Sequence, residues 1–138
     1  MISFKKFFES KQPLGLIETI TFDELGPIES KVDSGNGAYN VLHGVNIDMD
    51  DTTVSFDTVN DKRLTKDLKE TIDINIGSGN IENRPVVEFD IEIGDKKYPA
   101  TKFSIGDRTE NEYKILVGKD FIEKLGGIID VSAENNLD

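Results

Sequence analysis

The chain has 138 residues, enough for one domain built around one ordinary core. Its 27 acidic residues against 16 basic ones give a formal charge of −11, which argues against binding nucleic-acid phosphates and against docking on anionic membranes. Cysteine is absent and histidine occurs once, so a disulfide framework, a cysteine nucleophile and a histidine-rich zinc cage built from one copy of the chain are excluded.

Met1 to Ser10 holds an apolar run too short for a signal-peptide core or a spanning helix, and the protein is expected to be cytoplasmic. Ser3 can cap a short N-terminal helix with Phe4, Phe7 and Phe8 on one side, docked more readily on its own domain than on a partner. Residues 1–12 are therefore read as an appendage, 13–131 as a β domain and 132–138 as a polar tail. From Leu14 to Phe22 the chain is rich in apolar and β-branched residues and predicts a strand, closed by Gly26-Pro27. Ile28 to Val32 alternates and runs into the turn-like cluster Asp33-Ser-Gly-Asn-Gly-Ala38. Tyr39 to His43 predicts a second short strand. Val45 to Met49 and Thr53 to Phe56 flank the acidic turn Asp50-Asp51 as a hairpin. Ile72, Ile74 and Ile76 alternate with polar residues, the period of a half-buried strand. Gly77-Ser-Gly-Asn80 follows as a hairpin tip suited to a flap over a groove. Val87, Phe89, Ile91 and Ile93 alternate again, and Tyr98 to Ile105 returns after Gly94-Asp95. Ile115 to Val117 is a continuous apolar run, Lys119 to Leu125 reads as two helical turns stopped by Gly126-Gly127, and Ile128 to Val131 is a last strand. Many short strands with close turns and one late helix indicate an all-β barrel or sandwich.

A strand that ends in Asp33-Ser34-Gly35 places a carboxylate beside a hydroxyl and a glycine. An aspartic protease presents its catalytic acid in this way: the glycine N–H supports the carboxylate and the hydroxyl locks it from the side. On its own the tripeptide is equally a plain turn. Asn46, Asp48 and Asp50 have the spacing of a calcium loop but lack its sixth-position glycine and flanking helices, so a solvated hairpin turn is expected there. No phosphate loop of the form GxxxxGK[ST] occurs, and nothing in the chain supports ATP use.

The stretch from Ile115 to Ile129 resembles the C-terminal signature of retropepsin-like aspartic proteases, in which an apolar run and a glycine precede a short helix and a strand. It follows Asp33 by about eighty residues, in the order that family uses. The chain is more specifically similar to the bacterial and phage family named ATP-dependent zinc proteases, a retropepsin-like group. The segments that carry this resemblance are Lys31-Val-Asp-Ser-Gly35, Leu42-His43, Glu82-Asn-Arg-Pro-Val86, Asp107-Arg108 and Leu116-Val-Gly-Lys119. It spans about Leu14 to Val131, and the short Met-x-x-Phe-x-x-Phe start looks like members from tailed phages. Three departures stand out: one extra residue around Asn36-Gly37, Lys119 where the family has Arg, and Ser34 where it has Thr.

The resemblance implies a small closed barrel of the retropepsin type, with Asp33, Ser34 and Gly35 catalytic and Leu116, Val117 and Gly118 as the platform beneath. It implies peptide hydrolysis, with a glutamate-rich peptide as one substrate class, and Arg84, Arg108 and Lys119 as carboxylate-binding cations. A single Asp-Ser-Gly in this length predicts a homodimer with Asp33 from each subunit at a two-fold axis. Neither a cofactor nor a metal is expected, and His43 reads as a polar strand-end residue satisfied by the backbone. The rival expectation is a non-catalytic binding or structural module that keeps this fold. A third, a metal-dependent hydrolase, would need an ion touching His43 or Asp33.

Overall fold

A computed structural model describes residues 14–33, 39–124 and 129–134. The expected N-terminal helix, Ser34, Gly35 and the rest of their turn, and the tail from residue 135 lie outside the described residues. In chain order the strands are β1 (Leu14–Phe22), β2 (Gly26–Val32), β3 (Asn40–His43), β4 (Val45–Met49), β5 (Thr53–Thr58) and β6 (Lys62–Asp67). They continue with β7 (Glu70–Gly77), β8 (Asn80–Ile93), β9 (Lys96–Gly106), β10 (Ile115–Val117) and β11 (Ile129–Glu134). One short helix, α1 (Lys119–Lys124), lies between the last two strands. The fold is all-β with one short helix among the described residues.

Eight strands form one sheet in the order β11-β1-β2-β10-β3-β9-β8-β7, and β4-β5-β6 form a second of three strands. The larger sheet curls until β1 also pairs with β8, through Thr21 opposite Glu92 and Phe22 opposite Ile91. The alternating apolar positions of β8 turn inward. Phe89 lies edge-on to Phe22, with ring centroids 5.2 Å apart at 86°, and to Phe103 of β9, at 5.7 Å and 85°. This arrangement aligns the positive edge of one ring with the negative face of the next. Val54 and Phe56 of β5 complete the same buried cluster, so the small sheet caps the core of the large one. Each such aromatic or aliphatic side chain contributes about 1.5–3 kcal/mol on full burial.

Two elements depart from the expected pattern. Strand β6, Lys-Arg-Leu-Thr-Lys-Asp, carries almost no apolar alternation, and nothing in its sequence announced it. Its inward positions are Leu64 and Lys66. The Lys66 stem covers apolar surface, and its ammonium lies 4.4 Å from the Phe89 ring centre, so a lysine takes a place that a period-two reading reserves for an apolar residue. The β7–β8 hairpin turns through Ser78 (φ 53°) and Gly79 (φ 76°), the two left-handed residues that a tight two-residue connection requires. Its tip runs beyond the core. Ile72 and Ile74 are half-buried as expected, whereas Ile76 and Ile81 are 54% and 67% exposed.

Candidate functional site

Strand β2 delivers Asp33 and β3 carries the chain away from the same turn. These two strands are not neighbours, because β10 runs between them. Leu116 and Val117 pair in parallel with Lys31 and Val32, while Ile115 and Leu116 pair antiparallel with Leu42 and Val41. The backbone N–H of Asp33 donates to the Val117 carbonyl at 3.0 Å. On the other side the Gly118 N–H donates to Asn40 Oδ1 at 2.9 Å, and Asn40 Nδ2 donates to the Lys102 carbonyl of β9 at 3.3 Å. Ile115 and Val117 point into the core and Leu116, half-buried, into the opposite face. One strand therefore pins both stems of the Asp33 turn. The exit stem is tied further by Tyr39, whose hydroxyl donates to Glu70 of β7 at 3.1 Å, while Lys102 reaches the other oxygen of the same carboxylate at 3.1 Å.

The segment between β9 and β10 brings a cation to this place. Lys114 gathers the segment by donating from Nζ to the carbonyls of Arg108 (2.9 Å), Thr109 (2.9 Å) and Asn111 (2.8 Å). Arg108 Nε donates to the Tyr113 carbonyl at 2.9 Å. Burial pushes the Arg108 guanidinium below its ordinary value, the Arg84 guanidinium beside it pushes the same way, and Asp33 draws it back up. Asp33, Arg108 and Arg84 thus form one electrostatic cluster. Beside it opens a cleft of about 350 Å3, lined by Ile17, Lys31, Arg108, Asn111, Glu112 and Tyr113.

Arg84 comes from β8. Its side chain is only 16% exposed, and Nε stands 3.4 Å from Glu82 Oε1 without the geometry of a hydrogen bond, leaving that buried N–H unbonded among the described residues. The guanidinium can lie so low because Gly106 faces it: a Cβ on Gly106 would stand 2.8 Å from Arg84 Cζ and 2.9 Å from Nε. Gly106→Ala is therefore expected to swing Arg84 away from the cluster while costing only about 1 kcal/mol, since the end of a flexible side chain yields more easily than packed core. The check is the Arg84 Nε–H resonance by NMR together with thermal unfolding. An unmoved resonance would contradict the close approach.

Lys119 opens α1, exposed, and makes no ion pair among the described residues. His43 ends β3 half-buried, and its Nδ1 accepts the Arg108 backbone N–H at 2.9 Å. No group of three or more His, Cys, Asp or Glu side chains suited to a metal occurs among the described residues. In the β4–β5 turn Asp50 Oδ1 is occupied by the N–H groups of Thr52 (2.8 Å) and Thr53 (2.7 Å), which hold its carboxyl below the usual range, as a hairpin turn requires. Three participants were not singled out from sequence: Asn40, Lys114 and the cleft position of Lys31. Asn40 alone left a trace, a polar residue within the apolar run Tyr-Asn-Val-Leu, and it is 4% exposed.

No protein-family profile matches the sequence, and no curated protein sequence matches it. In three dimensions the chain is similar to the crystal structure of Lpg0085, a Legionella pneumophila protein of unknown function described as DUF785. The TM-score is 0.74 and the identity 24%, over 91% of this chain and 97% of that one. At that identity the likeness establishes a shared fold across nearly the whole chain and leaves the activity to be argued from the site. No helix among the described residues is long and apolar enough to cross a membrane.

Proposed function

We propose that the protein is a retropepsin-like aspartic peptidase, a closed β barrel of that type acting as a homodimer, with Asp33 from each subunit activating water. The observation that carries this reading is the strand β10 threaded between β2 and β3, which holds Asp33 by its backbone N–H over a buried apolar platform. Two carboxylates about 3 Å apart cannot both ionise freely, so one serves as base while the other stays protonated as acid. Ser34 and Gly35 support the carboxylate, and Leu116, Val117 and Gly118 the turn. Arg84 and Arg108, with Lys31 at the cleft, suit a substrate bearing carboxylates, such as a glutamate-rich peptide, and Lys119 adds a cation at the rim. A cytoplasmic setting, that of the host if the chain is phage-encoded, suits such a substrate.

One observation favours a second reading. Arg108 attracts Asp33 within the chain itself, which suits a non-catalytic module in which Asp33 is a structural anion. Association separates the two. Two chains at −11 each carry −22, so the dimer is expected to tighten as salt rises and screens that repulsion. Sedimentation equilibrium over a salt series, with hydrolysis of an oligo-glutamate peptide followed in parallel, should show activity rising with the dimer fraction. A chain monomeric at every concentration and salt, and inert, would favour the module.

A further inference from the structure

His43 is the chain's one histidine, and it ends β3, the strand that carries the chain away from the Asp33 turn. Backbone bonds hold both ends of the 107–114 segment to this strand: His43 N–H donates to the Lys114 carbonyl at 2.8 Å, and Gly44 N–H donates to the Gly106 carbonyl at 3.0 Å. Between those ends the ring makes a further tether, accepting the Arg108 N–H on Nδ1 at 2.9 Å. Only a neutral imidazole with its proton on Nε2 can accept there. Protonation of Nδ1 would set donor against donor. It would also add a positive charge beside Arg108 and Lys114. A competing partner is within reach, because Asp107 Oδ1 lies 4.0 Å from the same nitrogen.

We infer that His43 is a positioning residue: neutral, it holds the Arg108 N–H and so keeps the Arg108 guanidinium beside Asp33 and Arg84; protonated on Nδ1, it exchanges that N–H for the Asp107 carboxylate and lets the segment loosen. The effect on hydrolysis rests on the proposed peptidase reading, but the tether does not.

The surroundings set where the exchange falls. Burial lowers the His43 pKa below 6.5, Lys114 and Arg108 lower it further, and Asp107 raises it against them. From β5 the facing group is the uncharged Thr58 hydroxyl, which donates to the His43 carbonyl at 2.6 Å, and β9 presents Gly106 opposite His43. Because the folded state favours the neutral ring, this contribution to stability is complete above pH 6.5. It is lost as pH falls from there through the lower folded-state midpoint.

The test is NMR on the full chain between pH 8 and pH 4 (a window spanning the ordinary histidine range). The His43 ring and the Arg108 amide should titrate together with a midpoint below 6.5. Exchange of the Arg108 amide, corrected for the intrinsic pH dependence, should accelerate at least about fivefold on the acid side, the scale of one lost hydrogen bond. His43→Asn, whose Oδ1 offers an acceptor that does not titrate, should keep the amide protected at both ends of the range. His43→Ala should leave it unprotected throughout. Asp33→Asn should preserve the coupled titration, so a failure of the catalytic reading would leave this result standing. An Arg108 amide indifferent to the His43 titration, or a His43→Asn chain no better protected than His43→Ala, would overturn the inference.

Discussion

Asp33→Asn should leave a folded chain that hydrolyses peptide about 100- to 10,000-fold more slowly, the range that a positioned acid–base group contributes. The fold should survive because Asn keeps the backbone N–H of residue 33, which is bonded to the Val117 carbonyl at 3.0 Å. The chemistry should not survive, because an amide can neither take a proton from water nor share one with a partner carboxylate. Mixing gives a sharper reading than the single variant. If each active centre needs Asp33 from two subunits, equal amounts of both chains, freely exchanging, place about half of the wild-type chains in hybrid dimers. Activity per wild-type chain then falls by roughly half. A monomeric enzyme with a complete centre in each chain would show no such loss. Hydrolysis should also be insensitive to chelators, because one histidine and no cysteine leave a poor donor set for zinc. A module that uses Asp33 only as an anion for Arg108 predicts the reverse pattern. No hydrolysis is then lost on substitution, and the change appears in the packing of the 107–114 segment.

The legible parts of this chain were those whose period survives in the residues themselves. Val87, Phe89, Ile91 and Ile93 alternate because one face of β8 meets the core, and that face is visible without a structure. Asp33-Ser-Gly and the apolar run from Ile115 to Val117 were visible as separate motifs, each with its expected strand. The family resemblance alone places the run beneath the turn; the strand pairing itself leaves no local trace, because strand insertion is a long-range event in which a parallel and an antiparallel pairing bring residues 115–117 between segments some eighty positions away. Strand β6 was silent because Lys66 does its inward work with a methylene stem and a cation over a ring. Asn40 is silent in the sequence for a related reason. A buried amide bonded through both its oxygen and its nitrogen escapes the cost of an unmade hydrogen bond, yet it carries no apolar signature. The cluster of Arg84 with Arg108 was half legible. Each arginine stands in a recognisable segment, but Gly106, the glycine that lets Arg84 lie low, belongs to neither segment.

The largest effect on stability should come from a different glycine. Gly44 links β3 of the large sheet to β4 of the small one, and its N–H is held by the Gly106 carbonyl at 3.0 Å. A Cβ there would overlap Ile105 Cγ2 and stand 3.1 Å from Phe56 Cδ2. Neither neighbour can swing aside as Arg84 can, since both Ile105 and Phe56 are fully buried. Gly44→Ala must therefore push the two sheets apart or force an unfavourable rotamer in the core, an overpacking that costs about 1–3 kcal/mol and occasionally more. For a domain of this size that is a fall in Tm on the order of 10 °C. The cause can be isolated by a second change. Ile105→Leu removes the offending Cγ2 branch at nearly constant volume and should cost less than about 1.5 kcal/mol alone. If the overlap is the reason, the double variant is more stable than the sum of the two single effects predicts, by about 1 kcal/mol or more of coupling. Strict additivity in thermal or urea unfolding would place the strain elsewhere. Because Gly44 follows His43 directly, the uncorrected variant should also weaken the ring's hold on Arg108, so core packing and the geometry of the Asp33 cluster should fail together and be restored together.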